Sequence, residues 1–300
     1  MTQDKTDPSP PRRRLPEWLK RPACSGHKFS HVVDILKDLR LATVCDSAGC
    51  PNRGECFSAG TATFMIMGDV CTRDCRFCGV QHGVTLPLEA DEPDRLASAV
   101  AKLGLRHVVI TSVTRDDLDD GGAGHFGATI QAVRGRCVDV TIEVLTPDFL
   151  GERACLDTVC AARPDVFNHN METSRRLAPI IRPSADYQRS LEVLRYVASQ
   201  GEHLIVKSGF MLGLGESDDE IREMLADLAG AGVQMVTIGQ YLRPSKENHP
   251  VIKFYHPDEF EAIRQDALAL GFAHVAAGPF VRSSYHAEIN LHRPATEQGH

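Results

Sequence analysis

The strongest chemical signal in the chain is Cys71-Thr-Arg-Asp-Cys75-Arg-Phe-Cys78, three thiols spaced C-x3-C-x2-C. In a chain with no export signal, cysteines this close speak for a metal or for catalysis rather than for disulfides. Cysteine is 10 of the 300 residues, so the double spacing would arise by chance about once in a thousand tries. Four thiolates saturate a 4Fe-4S cluster, whereas three leave one iron open, as binding a substrate at a metal requires. A structural zinc site also uses close cysteines, but it takes four ligands, commonly in C-x2-C pairs.

Upstream lies a second group, Cys45, Cys50 and Cys56, spaced C-x4-C-x5-C with no partner histidine in zinc-finger register. A second cluster is the economical reading; a redox pair with a bystander is the alternative. Cys24, Cys137, Cys155 and Cys160 are not assigned as ligands. Cys155 and Cys160 repeat a five-residue step, which on a helix points to different faces, and free cysteine commonly packs as a small hydrophobe.

The elements that must position these loops follow one rhythm. Short apolar, β-branched runs predict strands over 63–67, 107–112, 139–145, 166–169, 203–208 and 235–239, each followed by a segment of helical period. The clearest helices are expected over 94–103, 187–199, 218–231 and 257–270, the last with Pro257 at its start and Gly271 just beyond its end. A short amphipathic helix is expected over 30–40, with Ser30 as its N-cap. Repeated βα units imply an α/β fold, a parallel sheet flanked by helices and either open or closed into a barrel.

In such barrels the chemistry sits in the loops at the C-terminal ends of the strands. Polar groups cluster there at 114–117, at Asn168, Asn170 and Glu172, at Lys207 to Gly209, and at Gln240 and Tyr241. Each cluster alone could be an ordinary solvated loop, and the stretch 168–172 could be a helix cap. The run Asp119-Asp120-Gly121-Gly122 serves better as a turn than as a nest of amides for a ligand.

Composition sets the outer limits. With 42% hydrophobic and 24% charged residues, and no apolar run near the length of a membrane span, the chain reads as a soluble globular protein. A net charge of -7 argues against nucleic acid as the main partner. The first 28 residues are polar and Pro-rich and are read as a flexible tail. Arg12, Arg13 and Arg14 are not followed by the apolar stretch of a signal peptide, and Asp4 and Asp7 weaken a transit-peptide reading, so the cytoplasm is expected. The organisation expected is a tail over 1–28, an extension with the upstream cysteines over 29–62, a core over 63–278 and a C-terminal segment over 279–300.

The downstream triplet, with the aromatic Phe77 before its third cysteine, resembles the radical S-adenosylmethionine (SAM) superfamily, whose open iron is chelated by the amino and carboxylate groups of SAM. The upstream triplet, together with Arg282-Ser283-Ser284-Tyr285, makes the likeness specific: the chain resembles the lipoyl synthase family over roughly residues 30–290. Asn168-His169-Asn170 with Glu172, the stretch 207–216 and Thr237-Ile238-Gly239-Gln240-Tyr241 belong to the likeness, and no ligand position departs from the pattern. Without that likeness, the RSSY stretch would pass for a surface turn.

The resemblance implies a partial (β/α)6 TIM-type barrel with N- and C-terminal extensions that hold an auxiliary cluster. It implies two 4Fe-4S clusters. Cys71, Cys75 and Cys78 would hold the one that binds SAM, and Cys45, Cys50, Cys56 and Ser284 the auxiliary, sacrificial one. Serine oxygen is a harder donor than thiolate and suits a sulfide-rich iron less well, so it could leave when that cluster must open. Asn168, Asn170 and Glu172 would lie near the SAM ribose, and Lys207 near its charged part. The implied reaction inserts sulfur at C6 and C8 of an octanoyl chain on a lysine of a lipoyl carrier domain, at the expense of two SAM molecules. Implied partners are the glycine cleavage H protein and E2 subunits of 2-oxoacid dehydrogenases, an electron donor such as flavodoxin or ferredoxin, and a cluster-delivery protein. Docking of an acidic carrier on Arg175, Arg176 and Arg182 is a further expectation. The competing readings are a biotin synthase-like or methylthiolating radical SAM enzyme, and a non-catalytic iron-sulfur or zinc module.

Overall fold

The computed structural model describes residues 15–20, 26–59, 62–201 and 203–284. Most of the expected tail, Cys24, Tyr285 and the C-terminal segment beyond it lie outside the described residues. In chain order the elements are α1 (His27–Asp38), β1 (Ala42–Thr43), α2 (Val44–Ser47), α3 (Arg53–Ser58), β2 (Thr63–Ile66), β3 (Val70–Cys71), β4 (Gln81–His82), α4 (Glu92–Leu103) and β5 (His107–Ser112). They continue with α5 (Ala123–Arg136), β6 (Thr141–Leu145), α6 (Arg153–Ala161), β7 (Val166–Asn168), α7 (Ala178–Ile181) and α8 (Tyr187–Ala198). The last are β8 (Ile205–Leu212), α9 (Asp218–Gly230), β9 (Met235–Gln240), α10 (Pro257–Ala269) and β10 (His274–Gly278).

The main sheet has 8 strands in the order β1-β2-β5-β6-β7-β8-β9-β10. All its pairings are parallel except β1 with β2, where Ala42 faces Met65. Strands β2 and β9 are buried along their whole length, as parallel strands are when helices cover one face and interior side chains fill the other. The sheet carries the six expected βα units, and β1 and β10 extend it at its two edges. Strand β10 (His-Val-Ala-Ala-Gly) and helix α5, with its internal glycines, are too weakly patterned to stand out in the sequence.

Local chemistry accounts for several element ends. Ser217 caps α9 and Glu220 reaches back to it in a capping box, while the Asp186 side chain caps α8. Gly104 ends α4 in the left-handed conformation, φ 61°. Helix α1 departs from expectation: it begins at His27 after Gly26, and the Ser30 amide donates to Gly26 O. Ser30 is therefore inside the helix, because Phe29 already packs against Phe57 and carries the apolar face further upstream. Strand β8 also runs past its expected end at 208 to Leu212, so Gly209 too lies within the strand with Lys207 and Ser208. Among the described residues, no helix is long and apolar enough to cross a membrane.

Candidate active site

The downstream cysteines leave the core directly after β2. Met67 and Gly68 take positive φ values of 69° and 91° and turn the chain, and Cys71 closes the short strand β3. Cys71 Sγ accepts from the amides of Arg73 at 3.4 Å and Thr114 at 3.3 Å, and Cys78 Sγ accepts from Val80 at 3.4 Å. Amides aimed at sulfur are what a thiolate cluster site needs, since they favour the charged form of the ligand. Burial pushes the Cys75 thiol up to about 11, with the Arg182 charge acting against it, and the Cys78 thiol up to about 12 despite the Val80 amide. These thiols hold their protons at neutral pH until a metal takes the proton's place.

Arg73, between the first two cysteines, fixes the loop to the barrel. Its guanidinium donates to Asp116 at 2.6 and 2.8 Å and to the buried Asp148 at 2.8 Å. Arg189 of α8 holds the other Asp148 oxygen at 2.8 Å. Burial raises the Asp148 carboxyl, and Arg73 overcomes this, leaving it well below the usual carboxylate range. Phe77 packs with Leu177, Ile181, Leu214 and Tyr241 in a small apolar cluster separate from the main core.

The upstream cysteines surround the first turns of the N-terminal extension. Cys45 lies on α2 behind the Thr43 cap, the Cys50 amide donates to Cys45 O at 3.0 Å, and Cys56 belongs to α3. Burial pushes the Cys45 thiol up to about 11, with the neighbouring Thr63 acting against it. The Thr63 hydroxyl in turn donates to Ser284 Oγ at 2.7 Å. Ser284, 221 residues from Thr63 along the chain, thus shares Thr63 as a neighbour with Cys45. The structure brings together the upstream triplet's Cys45 and the RSSY serine, which sequence spacing alone would not pair. Among the described residues no group of three or more His, Cys, Asp and Glu side chains, the two cysteine triplets included, is drawn together as for a single metal ion.

Inside the barrel, Asn168 donates to Glu143 at 3.3 Å, and Asn170 donates to Glu172 at 3.0 Å and to Ser283 Oγ at 2.7 Å. Glu172 sits at φ 67°, and burial raises its carboxyl, opposed by Arg182 and Asn170. Lys207 is buried and donates to Glu143 Oε1 at 2.8 Å and to Ser283 O at 2.6 Å. His107 Nε2 stands 3.3 Å from the other Glu143 oxygen. Burial pushes the Glu143 carboxyl up, yet Lys207 and His107 hold it below its ordinary value. Glu143, His107, Thr63, Arg73 and Asp148 were missed by sequence reasoning. The available signals were a lone acid inside the apolar strand Thr-Ile-Glu-Val-Leu and an arginine between two cluster cysteines.

Asn168 Oδ1 and Asn170 Oδ1 are buried with no hydrogen-bond partner among the described residues. Polar atoms in that state suit a polar cofactor bound in the same interior, so the residues fit SAM. Gly209 keeps the space open: a Cβ there would stand 2.4 Å from Thr237 Oγ1 and 3.1 Å from Asn170 Oδ1. Of the arginines expected to dock a carrier, Arg175 and Arg176 are exposed and carry surface ion pairs, while Arg182 is turned inward. Arg175 pairs with Glu223 and Asp227, Arg176 with Glu220, and Arg182 donates to the carbonyls of Asn170 and Met171. A cavity of about 580 Å³ lined by Arg134, Arg163, Asp165 and His203 opens at the N-terminal ends of β7 and β8, the face opposite the one that carries chemistry in such barrels.

Comparison with known proteins agrees with this geometry. The family model "Radical SAM superfamily" matches residues 65–228, and the model "N-terminal domain of lipoyl synthase of Radical_SAM family" matches residues 2–50. A lipoyl synthase of Pelobacter propionicus is 54% identical over 275 residues, 91% of this chain and 88% of the relative. One from Caldicellulosiruptor bescii is 53% identical, covering 92% of this chain and 94% of the relative. Among solved structures, methylornithine synthase (PylB) superposes with a TM-score of 0.54 at 15% identity over 71% of this chain and 69% of its own. The hydrogenase maturase HydG gives 0.52 at 13% identity, over 83% of this chain and 68% of its own. These structural likenesses bear on the fold alone.

Proposed function

The chain belongs to the lipoyl synthase family of the radical SAM superfamily, and from that premise we propose which of its residues carry the sulfur insertion and on what substrate. It is a sulfur-inserting enzyme that uses SAM and 4Fe-4S clusters. In our reading Cys71, Cys75 and Cys78 hold one cluster with an iron open to SAM, and Cys45, Cys50, Cys56 and Ser284 hold the auxiliary cluster. Held by Cys71, Cys75 and Cys78, such a cluster would supply the electron for reductive cleavage of SAM and so allow hydrogen to be taken from an unactivated C–H bond. The auxiliary cluster is a substrate here, the source of the two sulfur atoms placed at C6 and C8 of the octanoyl chain.

The protein's own part is to bind and orient. Asn168, Asn170, Glu172 and Lys207 form the interior polar set that faces SAM, with Phe77 packed beneath the cluster loop. The N–H groups of Arg73, Thr114 and Val80 hold charge on the cluster sulfurs. The extension 29–62 and the segment from 279 onward serve the auxiliary cluster, flanking a core over 63–278. Partners are octanoylated lipoyl carrier domains such as the glycine cleavage H protein or E2 subunits of 2-oxoacid dehydrogenases, a low-potential donor such as flavodoxin or ferredoxin, and a cluster-delivery protein, all in the cytoplasm.

The observation that carries this reading is the bond from Thr63 to Ser284 beside Cys45, because it supports a ligand set drawn from both ends of the chain. The test is anaerobic. Protein reconstituted with both clusters is given SAM, reductant and an octanoyl-lysine peptide, and peptide mass is followed with 5'-deoxyadenosine. Gain of two sulfurs is expected; 5'-deoxyadenosine with an unchanged peptide would reject the substrate.

A further inference from the structure

Beyond β10 the chain crosses between the two edges of the open sheet, and side chains from distant elements meet residues 280–284 on the way. Asn52, just before α3, donates to Phe280 O at 2.7 Å. Lys207 of β8 donates to Ser283 O at 2.6 Å, Asn170 to Ser283 Oγ at 2.7 Å, and Thr63 of β2 to Ser284 Oγ at 2.7 Å. Gly239 of β9 contributes by what it lacks, since a Cβ there would stand 2.1 Å from Val281 O. Only glycine lets the strip lie this low.

Lys207 is the unusual member. Its ammonium and the Glu143 carboxylate are each 1% exposed. Such a pair gains little net stability, because removing two charges from water roughly offsets their attraction. A long, flexible lysine is, however, held to one place by a buried carboxylate that His107 backs from the other side. The place is one residue from the RSSY serine, and the acceptor is main chain, which no change at position 283 would remove.

We propose that Lys207 is a positioning residue that seats Ser284: anchored by Glu143, it fixes the Ser283 carbonyl and thereby sets the hydroxyl offered to the auxiliary cluster. The inference rests on the reading of Ser284 as that cluster's fourth ligand. The barrel interior, and not the C-terminal strip alone, then determines the serine's position. Asn170 joins the SAM-facing set to the same strip through Ser283 Oγ.

The test isolates the auxiliary cluster by replacing Cys71, Cys75 and Cys78 with alanine in the full chain, and follows release of iron to a chelator under anaerobic conditions. Ser284→Ala, Lys207→Met and their combination form a double-mutant cycle. Lys207→Met should speed release roughly tenfold, the factor that corresponds to a hydrogen bond from a charged group. Ser284→Ala should do the same, and the combination should be no faster than Ser284→Ala alone. Since Lys207→Met leaves Glu143 unpaired, Glu143→Gln/Lys207→Met and Gly239→Ala repeat the test without a lone buried charge, and both should speed release. Additive effects in the cycle, or release unchanged in Gly239→Ala and in the charge-free pair, would overturn the seating role. Unchanged release in Ser284→Ala would instead overturn the serine ligand itself, and that is read from this variant alone.

Discussion

Gly79 lies against the main chain of Ala48: a Cβ on it would stand 3.3 Å from both the Ala48 Cα and the Ala48 carbonyl oxygen. One residue after the last cysteine of the downstream loop therefore touches the middle of the upstream cysteine segment. The two cysteine loops abut, although 30 residues of chain, strand β2 among them, lie between Ala48 and Gly79. Their ligand sets nonetheless face different partners. Cys71 and Cys78 are held by amides of the barrel loops, while Cys45 is tied to Thr63 and through it to Ser284.

This division of contacts gives a division of labour. Cys50→Ala should still cleave SAM, because nothing that holds the downstream loop involves Cys50, but it should transfer no sulfur. Chromatography of 5'-deoxyadenosine beside mass spectrometry of an octanoyl-lysine peptide reads both at once. Sulfur transfer by Cys50→Ala would end the assignment.

The converse holds for the downstream loop. Cys75→Ala removes one of three thiols from the group that must leave an iron open, so 5'-deoxyadenosine formation should fall to the level of enzyme-free controls. Iron content should drop by about half if the loop holds one of two like clusters. Retained SAM cleavage in Cys75→Ala would contradict it.

How far the sequence foretold this site depends on what kind of signal each residue carries. The cysteines announce themselves because their chemistry is local: three ligands within eight residues need no tertiary information. The strands β5, β6 and β9 are visible for a similar reason, as apolar β-branched runs broken by turn residues. Lys207 and Glu143 were illegible as a pair, because a charge inside a parallel strand is interpretable only once its partner two strands away is known. The strand holding Lys207 was expected to end at 208, whereas β8 continues to Leu212, with Lys207 on the face that meets Glu143 in the interior. The partnership of Thr63 and Ser284 depends on how the open sheet is closed, which no local pattern encodes.

Arg73 offers a stability measurement. It is 4% exposed, and its loss leaves Asp148, which is fully buried, with Arg189 and the Leu150 amide. Breaking a buried pair on one side typically costs about 3–5 kcal/mol. Arg73→Met should fall at the lower end, about 3 kcal/mol by urea unfolding, since Arg189 still compensates part of the charge. The same variant should raise the SAM concentration needed for half-maximal cleavage, because the loop between Cys71 and Cys75 loses its anchor. A variant as stable as the parent would show that Arg73 does not tie the loop to the barrel.

His169 makes the fold sensitive to acid. Its Nδ1 is 3.0 Å from Thr146 O and its Nε2 3.0 Å from Ser190 Oγ, so the neutral ring can donate to the carbonyl and accept from the hydroxyl. Burial lowers its pKa from 6.5 to about 4, and the Arg182 charge lowers it further while Asp148 opposes both. The unfolded chain therefore binds this proton more tightly than the folded one. The group's contribution is complete above the unfolded value and is lost as pH falls through the window toward the folded value. Between about pH 7 and about pH 5 the loss should approach about 2 kcal/mol. Glu172, whose carboxyl is raised by burial, works in the opposite sense, gaining as the pH falls. Comparing urea unfolding of the parent and His169→Gln at both pH values cancels Glu172 and every other common group. The parent should lose about 2 kcal/mol more than the variant on acidification. Equal losses would mean that His169 takes up its proton as readily folded as unfolded, and that the neutral ring between Thr146 and Ser190 is wrong.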